Sequence, residues 1–303
     1  MSRAFGKSLL LLVALAALPR AARAEGGVAF VHDATIYQDA KEGALKAPQG
    51  VACTENGNVV VADTGNQRLL MYAFKDGRIA GGTELKLTQL TRPIRVQITS
   101  KGDVLVLDGK TRKIVKVGAN GQFAGTLDPK GIDDAASVVP AAFKVDGNGN
   151  VYVLDAPGRR VLLMDSSGAV SGQVAIPPEA GTITDVDVDV AGTLYAIDAV
   201  SATIWSAEKN AKTFKALTKS MKDRMSFPTY LAFSRGRLFL VDQNGNGIAI
   251  VGVDGSYQGR QLSIGWNDGL VYYPAQLCLA PELGYAFLAD RYNNRVQVFS
   301  TGK

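Results

Sequence analysis

Histidine is almost missing from this 303-residue chain, with His32 the only one. A catalytic zinc normally takes three protein ligands, often His, so a histidine-rich metal centre is excluded. One imidazole placed near the start of the fold also cannot serve a central Ser or Cys triad, and no Gly-x-Ser-x-Gly elbow is present. Cysteine is limited to Cys53 and Cys278. Glutamate occurs seven times, at 25, 42, 55, 84, 179, 208 and 282. All seven are expected in tails or loops and none in an inner strand, so carboxylate metal chemistry is not signalled. No apolar run reaches the ~20 residues that cross a bilayer. No Gly-rich phosphate loop stands in the right context; Asn244-Gly245-Asn246-Gly247 reads as a turn.

The longest apolar run, Leu9 to Leu18, follows Arg3 and Lys7 and precedes Ala22-Arg23-Ala24. That order is expected of a signal peptide over 1–24, cleaved before Glu25. No Cys follows the run, so no lipid anchor is expected, and the protein is expected in the periplasm or secreted. The formal net charge of +5 is then misleading. Residues 1–24 hold four basic residues and no acid, leaving 29 basic against 28 acidic. The basic balance that would hint at nucleic acid belongs to the leader.

What is abundant is repetition. An apolar run closing on Asp, a short loop and a second apolar run recur six times, at Asp63, Asp108, Asp155, Asp198, Asp242 and Asp290. The intervals are 45, 47, 43, 44 and 48 residues. A period in the mid-forties with strand-type alternation predicts a propeller, one four-stranded blade per copy. Residues 25–303 therefore read as one all-β domain, a six-bladed β-propeller of antiparallel blades.

Within a copy, Pro48 opens inner strand a, where its missing N–H is harmless. Glu55-Asn56-Gly57-Asn58 is a hairpin turn, and Val59 to Ala62 a strand b buried on both faces. After Asp63 comes a b–c loop, then strand c from Arg68. Pro93, Pro140, Pro228 and Pro274 open later blades, with Ile183 in that place in blade 4. Arg follows the Asp by five residues at Arg68, Arg160 and Arg295, Lys113 does so in blade 2, and Thr203 and Gly247 mark degenerate copies. Blade 6 ends at strand c, so Val28 to Tyr37 is predicted to supply its outer strand and clasp the ring. Cys53 and Cys278 fall on inner strands of the two blades so joined. Strand parity turns them to opposite faces, open to a disulfide or to two buried thiols.

The run from Pro48 through Gly50-Val51-Ala52, Gly57-Asn58-Val59 and Ala62-Asp63-Thr64-Gly65-Asn66 to Arg68-Leu69 resembles the NHL repeat. Ala289 to Phe299 matches the second half of that repeat. The resemblance implies a six-bladed propeller used mostly for binding, with some enzymatic relatives. It implies lyases that hold zinc with several His, a set this chain lacks. It also allows a lactonase-like hydrolase with a divalent cation at the channel mouth, toward which Glu42 and Glu179 could reach from loops. Because the repeat specifies fold, its six Asp and its Arg68, Arg160 and Arg295 are read as architecture. Each Asp is expected to accept N–H bonds from its own b–c loop, with the Arg as partner.

The most unusual strand is Asp185-Val186-Asp187-Val188-Asp189, with three carboxylates on one face. A channel Ca2+ site is one reading. The other is a polar seam, since Lys144 and Gln97 occupy equivalent positions of blades 3 and 2; either needs a counter-charge. A partner is expected on the face where d–a and b–c loops converge on a rigid scaffold. There the loops carry Arg92, Arg224, Trp266, Tyr272, Tyr273, Arg291 and Tyr292, the composition of binding hot spots. The expected function is recognition of a protein, peptide or glycan partner without catalysis; the alternative is the lactonase-like hydrolase using the same face.

Overall fold

The computed structural model describes residues 27–85 and 87–302; the expected signal peptide lies outside them. Six four-stranded sheets follow one another around a ring. Blade 1 comprises Gly50–Cys53, Asn58–Asp63, Arg68–Lys75 and Arg78–Leu85. In blades 2 to 5 the inner strands are Pro93–Ile98, Pro140–Val145, Ile183–Val188 and Pro228–Ser234. Their b strands are Val104–Asp108, Val151–Asp155, Leu194–Asp198 and Arg237–Asp242. Blade 4 has the shortest outer strand, Lys215–Ala216.

Blade 6 is built from both ends of the domain. Pro274–Ala280, Tyr285–Asp290 and Arg295–Ser300 are joined by Val31–Ile36, antiparallel to the last of them. The pairing covers the edge that strand c of blade 6 would otherwise present. A second link is covalent, because Cys53 and Cys278 form a disulfide between the inner strands of blades 1 and 6. Of the two arrangements the sequence left open, this is the one found.

The b strands are apolar throughout because both of their faces are buried. Six hydrophobic clusters result, one in each seam between neighbouring blades. In the closing seam, Phe74 meets Tyr285 at 4.6 Å and Phe287 at 5.3 Å, edge to face. Each buried Val, Leu, Ile or Phe contributes about 1.5–3 kcal/mol.

Register shifts near the start of five inner strands, between Pro93/Arg95, Pro140/Ala142, Ile183/Asp185, Pro228/Tyr230 and Pro274/Leu277. A bulge re-aims the side chains beside it. Arg95, Asp185, Tyr230 and Gln276 stand at these shifts and supply part of the polar lining of the channel, together with Lys144 and Asp187.

Glu84 departs from expectation. It lies in the outer strand Arg78–Leu85 rather than in a loop, 3.8 Å from the Arg68 guanidinium. The charge of Arg68 gives a carboxylate a reason to occupy that edge strand.

Candidate binding face

The six repeat Asp side chains are buried, and they bind more of the loop face than the local grammar implies. Asp108 accepts from Lys110 and Thr111 N–H of its own b–c loop, and also from Thr91 and Arg92 N–H in the loop entering the strand beside it. Burial alone would raise its pKa, but these backbone donors hold it down at about 2. Among the described residues, Asp63 and Asp290 take no backbone N–H from their own loops. They accept instead from the Asn66 and Asn293 side-chain amides, and from Lys46 and Tyr272 N–H in the preceding loops. Each carboxylate thus ties a d–a loop to a b–c loop.

Arg68, Arg160 and Arg295 donate Nε–H to Asp63, Asp155 and Asp290 at 2.8, 3.0 and 2.8 Å. Lys113 is exposed and takes no such place, since Asp108 is already served by backbone and Thr hydroxyls. Where blade 5 has Gly247, Arg260 reaches over from the outer strand and places Nη1 2.9 Å from Asp242. A Cβ on Gly247 would come within 3.0 Å of that guanidinium, so the glycine makes the room. In blade 4, Ser201 Oγ donates to Asp198 and meets Thr203 Oγ1 at 2.9 Å.

The channel is bridged on its axis. Arg95 of blade 2 donates to Thr229 O of the opposite blade at 2.6 Å and lies 4.6 Å from the centre of the Tyr230 ring. Gln276 of blade 6 both accepts from Val96 N–H and donates to Val96 O, passing beneath Gly50. Asp187 lies 2.8 Å from Lys144 Nζ and accepts Phe233 N–H at 2.7 Å. Asp185 accepts Leu231 N–H at 2.8 Å. Burial pushes Asp185 up to about 6, although Arg95, Leu231 N–H and Lys144 each pull it down. Asp189 turns away to cap its hairpin through Ala191 and Thr193 N–H. Each of the three carboxylates has its own protein partner. Among the described residues no group of three or more His, Cys, Asp or Glu is arranged to hold a metal.

The loop face gathers most of the residues expected to bind. Tyr272 lies near Trp266, Tyr273 and Tyr292, with ring centres 6.0, 5.4 and 5.6 Å apart. Tyr273 and Tyr292 are 4.8 Å apart, and the Arg291 guanidinium sits 4.8 Å from the Tyr292 ring centre. Trp266 remains 72% exposed. Arg92 and Arg291 line one groove of about 560 Å³ between blades 6, 1 and 2. Arg224 does not join them. Its Nε pairs with Asp223 at 2.9 Å and its guanidinium covers Tyr257 at 5.3 Å.

The aromatic loop is anchored from below. Arg295 donates to Asn267 O and Leu270 O at 2.8 Å and pairs with Asp268 at 2.8 Å. Gln297 accepts Gly269 N–H, and Tyr37 OH of the closing segment donates to Asp268. Tyr273 has φ +51°, uncommon for a bulky residue, with its N–H held by Asn246 Oδ1 at 2.8 Å. Such strain persists only where surrounding structure imposes it.

Sequence reasoning missed Lys110, which lines the same groove. The signal was available, because Lys110 stands two residues after its repeat Asp, as Tyr292 does. The channel bridge of Arg95, Tyr230 and Gln276 was also missed, since the bulges that turn them inward leave no mark in the alternation.

Residues 45–72 match the NHL repeat model. Protein brain tumor of Drosophila melanogaster is 29% identical over 136 residues, 43% of this chain and 12% of that protein. The chain thus spans about one eighth of that curated relative. A streptogramin B lyase structure covers 91% of this chain and 98% of its own at 14% identity and TM-score 0.63. A catalytically inactive virginiamycin B lyase from Staphylococcus aureus with quinupristin covers 88% and 98% at 13% identity and TM-score 0.65. A protein of unknown function from Bacteroides thetaiotaomicron covers 89% and 73% at 13% identity and TM-score 0.66. At such identities these likenesses are of fold alone.

Proposed function

We propose that this six-bladed propeller, which carries an NHL repeat at residues 45–72, is an exported binding or scaffolding module. It takes a protein, peptide or glycan partner on the face where the d–a and b–c loops meet, without catalysis. The observation that carries this reading is the cluster of Trp266, Tyr272, Tyr273 and Tyr292 beside Arg291 on loops whose backbones Arg295 and the repeat Asp residues hold in place. Aromatic and Arg side chains held in that way bind at low entropic cost. The disulfide fits an oxidising compartment, the periplasm or outside the cell. The single His bonds Thr35 in the closing strand and lies 3.9 Å from Asp268 of the aromatic loop.

The test is a Tyr273→Ala/Arg291→Ala variant compared with the native protein in partner capture and then in direct binding to the purified partner. The variant should keep its melting temperature and lose capture. Capture at the native level would refute the binding face. Turnover of esters or lactones that a chelator abolishes would refute the absence of catalysis.

A further inference from the structure

Arg92, Lys110 and Arg291 come from three different loops of blades 2 and 6 and meet in one groove. Among the described residues none of the three forms an ion pair, whereas Arg68, Arg160, Arg260 and Arg295 on the same side each close on a buried Asp. The repeat Asp residues beside the groove are committed elsewhere: Asp108 to backbone N–H groups and Thr hydroxyls, and Asp63 and Asp290 to Arg68 and Arg295. The remaining lining is neutral, including Gln49, Gln67 and Thr91. The Arg291 Nε is buried and has no hydrogen-bond acceptor. A buried guanidinium N–H without an acceptor is costly, and three like charges around one cavity repel. An oxyanion seated in the groove relieves that repulsion.

We infer that this groove is a carboxylate-binding subsite for an acidic polypeptide segment, an inference that rests on the binding reading above. An anionic chain running across blades 6, 1 and 2 would place carboxylates at Arg92, Lys110 and Arg291. Its apolar or aromatic side chains would lie along Tyr272 and exposed Trp266. A nucleic acid fits less well, because backbone binders commonly use about 6–10 phosphate contacts and this groove offers three cations. A charged glycan fits less well because Tyr273 and Tyr292 cover each other and Arg291 covers Tyr292, so those ring faces are not free for sugars.

The experiment measures fluorescence anisotropy of a labelled alternating Glu-Tyr dodecapeptide at low and physiological salt. A Lys-Tyr dodecapeptide, a heparin octasaccharide and a single-stranded oligonucleotide serve as competitors. The Glu-Tyr peptide should bind, salt should weaken it, and Arg92→Glu/Lys110→Glu should cut its affinity by about tenfold or more. Both substituted side chains are exposed, so the variant should melt like the native protein. If Tyr273→Ala abolishes binding while Arg92→Glu/Lys110→Glu does not, the carboxylate subsite is overturned and the binding face stands. If neither variant matters, or the peptide does not bind, the subsite is overturned and the face is judged by partner capture alone. Tighter binding of the octasaccharide or the oligonucleotide overturns the polypeptide assignment.

Discussion

Removing the Cys53–Cys278 disulfide should destabilise the ring measurably, and the size of the loss follows from topology. The bridge joins residues 225 apart, so it closes a loop containing blades 2 to 5 whole and parts of blades 1 and 6. Loop-closure entropy for a link of that span corresponds to about 5 kcal/mol at 25 °C, gained by restricting the unfolded chain. Native disulfides deliver about 2–5 kcal/mol when removed, so the loop places this one toward the top of that range. The folded ring should survive, because Val31–Ile36 still pairs with Arg295–Ser300 and the cluster around Phe74 and Phe287 still fills the closing seam. The assay is urea unfolding of the native protein and of Cys53→Ser/Cys278→Ser, each with and without reductant, followed by tryptophan fluorescence. Reductant should lower the native midpoint to that of the variant and leave the variant unmoved. A loss below about 1 kcal/mol, or a variant that reductant still destabilises, would refute the entropic reasoning.

Arg295→Ala should cost about 3–5 kcal/mol in urea unfolding, because it leaves buried Asp290 without its guanidinium partner. The same change should free the 265–273 loop, read as faster amide exchange at Gly269, whose N–H is tied to Gln297. Burial pushes the folded Asp185 carboxyl up to about 6 from its ordinary 3.8, so the folded state binds the extra proton between those values. Stability should therefore fall as pH rises from about 4 to about 6, and Asp185→Asn should flatten that part of a melting-temperature profile. Asp108 is displaced the other way, to about 2 from 3.8. Its contribution should be intact above pH ~4 and lost as pH falls through ~2, and an Asp108→Asn variant lacking that acid limb would confirm it.

Much of the architecture is legible in residue order because each blade repeats the same local constraints. Pro at the strand start, Gly in the a–b turn, an unbroken apolar b strand and a closing Asp are all short-range features. The chain's spare strand near Val31 and its missing fourth strand in blade 6 also point to each other. The partners of the Asp residues were only half legible. Their own b–c loops are close in sequence, but Thr91, Val139 and Phe227 N–H come from loops 15 to 17 residues away whose composition varies. Arg260 is the clearest case. Nothing local says that an outer-strand Arg replaces the one absent at Gly247, because the substitution works only through space. Glu84 lies in a strand because it pairs in register with Leu70 of strand c, another partner met only through space.

What the residue order determined by itself was the number of blades, the place of each strand and the closure by a segment near the N-terminus, since periodicity and strand pairing depend on spacing alone. Tertiary structure decided which polar groups meet. The bulges turned Arg95, Asp185, Tyr230 and Gln276 into the channel, ring closure brought Cys53 to Cys278, and loop convergence gathered Arg92, Lys110 and Arg291 in one groove. These contacts join residues far apart in the chain. Coulombic and hydrogen-bond energies depend on ångströms, which spacing along a sequence does not specify.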